Sequence, residues 1–158
     1  MAVALLFPVQ ALAVSPARGW GLLWAVPVSA GARFQLNWIH TVTRRPITET
    51  YEIELDGRLH LVEMVFDQYG PNLPAGPEEG TTWRIERDRW VVTGYSLRTT
   101  TLNLGVGPFG HALEVAGHRW DMLAGAGADR LVRLEVKRVP IGLILLAEGY
   151  QWRNTNRF

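Results

Sequence analysis

A small set of side chains in this sequence could do acid–base, metal or binding chemistry at one place. They are His40 and Glu49 in the stretch Phe34 to Leu55, Tyr51 two residues on, Tyr69, Gly70 and Asn72 in a later loop, and His111. An imidazole within reach of a carboxylate can pass a proton or hold a polar ligand, and two histidines with one carboxylate can hold zinc or iron. It can also be purely structural, the ring N–H donating to the carboxylate so that two buried groups satisfy each other. The three metal-capable residues lie far apart without a diagnostic spacing. Thr41 and Thr43 fall on the face opposite His40 or at the turn, so no nucleophile is paired with a base there. There is no cysteine, which removes disulfides, thiolate metal sites and cysteine nucleophiles. His60 and His118 sit beside turns and read as solvated.

The element that positions His40 and Glu49 is a hairpin. Phe34, Leu36, Trp38, His40 and Val42 alternate with polar residues, as do Ile47, Glu49, Tyr51, Ile53 and Leu55, and a strand repeats its facing every two residues. A reversal at Arg44-Arg45 predicts the facing pairs Val42 with Ile47, His40 with Glu49, Trp38 with Tyr51, Leu36 with Ile53 and Phe34 with Leu55. Asp56-Gly57 predicts a two-residue turn into a strand that sets Val62, Met64 and Phe66 beside Tyr51, Glu49 and Ile47, with Glu63 turned away. Phe66 then arrives opposite Ile47, which brings the Gly70–Leu73 loop to the His40 end. His111, Glu49 and His40 are expected to converge, with that loop at the mouth.

The chain of 158 residues, 47% hydrophobic, suffices for one domain with a real core. Sixteen basic and fifteen acidic residues leave a net charge of +1 with no basic patch, which argues against nucleic acid as a partner. Sixteen Gly and seven Trp with short alternating runs predict about nine short strands, an all-β antiparallel sandwich or small partly open barrel over residues 1–139. Within it, Leu102 to Val106 is expected to continue the same sheet. By strand phase the tryptophans read as core, except Trp152 in the polar tail. Residues 1–14 are uncharged and read either as the remnant of an export signal, with Ala11-Leu12-Ala13 as a small-x-small cleavage site, or as the first core strand. Trp20 to Val28 reads as a second strand. After Pro140, the segment to Phe158 is an apolar run followed by a basic end, a packed extension or docking tail. No phosphate-binding glycine motif is present, since Gly105 to Gly110 precedes no helix, and no cofactor is expected.

Trp38-Ile-His-Thr-Val42, Pro46-Ile-Thr-Glu49, Phe66-Asp-Gln-Tyr-Gly70, Leu73-Pro74 and His111-Ala-Leu113, taken in order, resemble the DUF1850 family of bacterial domains over about Ala11 to Arg138. Thr41 stands where that family favours Ser, Tyr69 replaces its second loop Phe, and Pro71-Asn72 replaces Ala-Gly. Members typically carry an N-terminal hydrophobic segment and are often encoded beside TAXI-type TRAP transporters. The resemblance thus implies the cell envelope, periplasmic or membrane-anchored. It also implies an accessory or binding role toward TRAP membrane subunits, a solute-binding protein or the solute. Ligand contacts would come from His40, Glu49, Tyr51, Tyr69, Gly70, Asn72 and His111. The alternative is a metal-dependent enzyme.

Overall fold

The computed structural model describes residues 5–77 and 80–147. These residues form two antiparallel sheets whose inner faces share one core, a sandwich rather than a closed barrel, with twelve strands where about nine were expected. The smaller sheet runs β2 (Trp24–Pro27), β1 (Pro8–Pro16), β12 (Arg130–Pro140), β9 (Thr101–Val106). The larger runs β11 (His118–Asp121), β10 (His111–Val115), β3 (Arg33–Ile39), β4 (Pro46–Ile53), β5 (Leu59–Phe66), β7 (Arg89–Thr93), β6 (Thr82–Glu86). The short β8 (Arg98–Thr99) also pairs with β5. β9 therefore leaves the large sheet and joins the small one, against the expectation of one continuous sheet. Leu102 and Leu104 pack against the core from β9, and Val106 is fully buried in it.

Residues Ala11 to Val14 are buried in the middle of β1, hydrogen-bonded to β12 on one side and β2 on the other. Of the two readings of Ala11-Leu12-Ala13, the structure shows the core strand. Leu12 and Val14 face the main core, while Ala11 and Ala13 face outward with Ala25 and Val139. Small side chains let a helix approach closely. Residues 141–147 form one, with Ile144 and Ala147 buried on that outer face. The second strand starts only at Trp24, and Trp20 stands in the preceding bend, fully exposed at 101% and so not a core residue. Trp152 lies outside the described residues.

The central hairpin keeps its facing but not its register. Trp38 pairs with Ile47, Leu36 with Glu49 and Phe34 with Tyr51, four positions from the expected pairing. The even parity of the shift leaves the same side chains inward. The reversal is a longer loop in which Arg44 takes φ 59, the Arg44 amide donates to the His40 carbonyl at 2.8 Å, and the His40 amide donates to the Arg45 carbonyl at 2.9 Å. Val42 and Leu55, expected inside, are 68% and 94% exposed.

The next turn has three residues. The Glu54 amide bonds to the Arg58 carbonyl, and Gly57 at φ 83 is the left-handed position that ends a type I turn. That extra residue would invert β5, but a bulge opposite Thr50/Tyr51 restores the phase. Leu61, rather than Val62, faces Tyr51, while Met64 and Phe66 face Glu49 and Ile47 as expected. Leu55→Ser is therefore expected to change unfolding free energy by no more than about 0.5 kcal/mol in urea titration, the range of a surface change. A loss several times larger would restore Leu55 to the core.

Candidate functional site

The pairings place one row of side chains across the inner face of the large sheet: His111 on β10, Trp38 on β3, Ile47 on β4, Phe66 on β5 and Trp90 on β7. The next row inward is Leu113, Leu36, Glu49, Met64 and Val92, a single carboxylate among four apolar neighbours. Trp38 is the hub. Its ring stacks on His40 at 5.8 Å and on His111 at 6.4 Å, the latter with an interplanar angle of 6°. On the β7 side, Tyr69 lies 5.9 Å from Trp90, 6.4 Å from Trp83 and 6.0 Å from Phe66, an aromatic wall whose outermost ring is exposed.

His40 and His111 meet at the same end of the domain, but His40 does not face Glu49. The longer loop sets His40 opposite Arg45, and its ring is committed elsewhere. Nδ1 accepts from the amides of Val42 and Thr43, both at 3.2 Å, and Nε2 donates to the carbonyl of Pro71 at 2.9 Å. This network fixes the tautomer with hydrogen on Nε2. His40 is a clasp that closes its own loop and ties it to the Gly70–Leu73 loop.

That second loop is a turn shaped by its letters. Pro71 supplies the fixed φ at its second position, Asn72 takes φ 64 at its third, and the Leu73 amide closes it on the Gly70 carbonyl at 3.1 Å. Gly70 is needed because a Cβ there would sit 3.0 Å from His40 Nε2 and 3.0 Å from Thr43 Cγ2. Asn72 is exposed and touches neither Glu49 nor His111 in any recorded bond. Gly70 and Asn72 thus shape the clasp, and Tyr69 is the loop residue whose ring reaches the aromatic wall.

Glu49 accepts from the Tyr51 hydroxyl at 2.7 Å. Burial pushes its carboxyl above the ordinary carboxylate range, and the hydroxyl of Tyr51 and the indole N–H of Trp38 only partly pull it back. Both donors are neutral, and no cation is among the groups acting on it. Burial together with the nearby carboxylate raises the Tyr51 hydroxyl far above its usual range, so it stays a donor. Burial lowers His111, which is uncharged at neutral pH, and its Nδ1 is buried without a hydrogen-bond partner. His60, expected to be solvated, is half-buried with Nε2 2.8 Å from the Tyr95 carbonyl.

The chemistry these groups could supply is recognition: a carboxyl, a hydroxyl and, between aromatic faces, a buried ring nitrogen without a hydrogen-bond partner. Both nitrogens of His40 are engaged, which breaks the three-ligand set considered for a metal. Among the described residues no three such side chains gather at metal-binding distance. Reasoning from sequence missed Trp38 as the connecting residue. The signal was its place between two histidines in the same face pattern, Trp38 and His40 on β3 and His111 opening β10.

Because Glu49 binds its proton more tightly in the folded chain than in the unfolded one, its ionisation costs stability. The fold loses stability as pH rises from the ordinary carboxylate range to the raised folded value, and the loss is complete above it. Glu49→Gln removes that dependence. Against wild type it is expected to gain on the order of 1 kcal/mol at neutral pH, the scale of a partly compensated buried polar group, and to gain little at pH 4. Parallel pH profiles of unfolding for the two proteins would refute this.

The family described as "Domain of unknown function (DUF1850)" matches residues 34–122, from the start of the central hairpin through the first residue of α1 (Met122–Ala126). No curated protein and no solved structure matches the chain.

Proposed function

The chain belongs to the DUF1850 family, and from that premise we propose that it is a non-enzymatic binding module of the cell envelope, periplasmic or membrane-anchored, serving a TAXI-type TRAP solute transporter. The observation that carries the binding role is Glu49. A carboxylate set among aromatic rings with two neutral donors and no cation costs the fold stability, and such groups concentrate where a bound partner completes them. The partly exposed rings of Trp38 and His111 and the exposed ring of Tyr69 are the other contacts such a partner would find, with Tyr51 holding Glu49 from behind. The transporter setting rests on the resemblance set out above, in which members are often encoded beside TAXI-type TRAP systems. Among the described residues no nucleophile is hydrogen-bonded to a base beside Glu49, which favours binding over hydrolysis.

The test is calorimetric titration of the purified chain with the solute-binding protein of a TAXI-type TRAP system, and separately with that system's membrane subunits in detergent. Saturable one-to-one binding to either, abolished by Trp38→Ala, supports the proposal. Absence of binding to both, with and without solute, overturns it.

A further inference from the structure

The large sheet ends at β6 in an open edge. The strand reads Thr-Trp-Arg-Ile-Glu over Thr82–Glu86, and among the described strands it pairs with β7 alone. The opposite edge strand, β11, runs directly into α1, for which Asp121 is the N-cap. β6 lies open instead: Arg84, Ile85 and Glu86 are exposed, Ile85 at 63%. It carries no proline, no lysine and no bulge, which are devices that blunt an edge against pairing.

Which backbone groups of β6 are free follows from its turn. Arg87 and Asp88 take φ 50 and φ 61, a two-residue type I′ turn, so Glu86 and Arg89 flank it as a hydrogen-bonded pair. Bonded and non-bonded pairs alternate along an antiparallel ladder. Arg84 with Val91 and Thr82 with Thr93 are therefore bonded to β7, while the amides and carbonyls of Trp83 and Ile85 point out of the edge. The side chains of Trp83 and Ile85 lie on the inner face, where Trp83 meets Phe66 and Trp90. Arg84 and Glu86 lie on the outer face, where Arg84 bonds to Glu86 and Glu63 of its own chain.

We propose that β6 pairs antiparallel with β6 of a second copy of this chain, about a two-fold axis at Ile85. The two Ile85 residues face each other as a hydrogen-bonded pair, each amide donating to the other's carbonyl. Arg84 then comes opposite the partner's Glu86, and Glu86 opposite the partner's Arg84, in non-bonded pairs whose side chains stand close. Of the registers that bond Trp83 and Ile85 outward, this is the one that sets opposite charges face to face. A shift by two residues puts Arg84 against Arg84 or Thr82, and like charges directly opposite destabilise a ladder. On the inner face the exposed Ile85 is covered by its counterpart, with Trp83 diagonally across and within reach of it. Charge decides for a second copy over an unrelated strand, because the same five residues supply both halves of each ion pair. The contact is one short strand from each copy, at the small end of specific interfaces, so the dimer dissociates on dilution. It does not depend on the Glu49 recess.

The experiment is sedimentation velocity of the full chain across a dilution series, repeated for charge variants. Wild type is expected to pass from dimer to monomer as it is diluted. Arg84→Glu alone sets carboxylates opposite carboxylates, and Glu86→Arg alone sets guanidinium groups opposite each other. Each is expected to weaken the dimer about tenfold or more while keeping the wild-type urea midpoint, since both side chains are exposed. An equimolar mixture of the two variants restores opposite charges at both positions and is expected to form a heterodimer in the wild-type concentration range. The double variant Arg84→Glu/Glu86→Arg is expected to dimerise with itself again. A wild type that stays monomeric at every concentration overturns the proposal. So does a dimer that neither single variant weakens, or a mixture that remains as monomeric as its components.

Discussion

His40→Ala is expected to lower the free energy of unfolding by about 3 kcal/mol, a core-sized loss from a residue that no hydrophobic scale would place in a core. The ring is buried and satisfies three backbone groups at once: the amides of Val42 and Thr43 and the carbonyl of Pro71. Alanine strands all three, opens a void under Gly70, and lets the 40–45 and 70–73 loops separate. His40→Asn tests the cause. An Asn oxygen can accept from amides two and three residues on, as in a helix cap, but cannot reach Pro71. It is expected to recover roughly half of the loss. If His40→Ala costs no more than a surface change, the clasp is not what orders these loops.

Trp38→Ala is expected to cost about as much, ~3 kcal/mol, for different reasons. It removes the ring stacked between His40 and His111 and also one of the two donors to Glu49. Trp38→Phe separates the two contributions. It keeps an aromatic face at the site, costs about 1 kcal/mol, and makes Glu49 easier still to protonate, so the pH dependence of stability steepens. Urea titrations at pH 5 and pH 8 read both effects. An unchanged pH dependence in Trp38→Phe would mean the indole N–H does not act on Glu49.

Much of this arrangement was legible in the letters, and the failures have physical causes. The period-two pattern gave the correct inward face of β3 and β4, because facing depends only on parity. Register depends on where the chain turns. Here the turn uses a non-glycine residue at positive φ, Arg44, and a histidine ring bonding to its own loop, neither of which has a local signature. At Asp56-Gly57 the turn type was misread by one residue. The facing survived because the bulge opposite Thr50/Tyr51 cancelled the error, as a buried face requires. The transfer of β9 to the small sheet is a tertiary choice, since an alternating strand carries no mark of which sheet it joins. Pairing alone brought the Tyr69, Gly70 and Asn72 loop to the His40 end, whereas for His111 the letters gave a rim but not which rim, and its pairing with Trp38 sets it there. What each does there depended on distances: Gly70 gives way to the His40 ring, and Tyr69 joins the aromatic wall.

The account turns on Glu49 being the functional group of the recess and His40 its structural support. The direct measurement is Glu49→Gln at neutral pH, read for urea stability and for binding to the solute-binding protein or the membrane subunits. The account predicts a more stable protein that no longer binds. A variant that is less stable than wild type and still binds would contradict it.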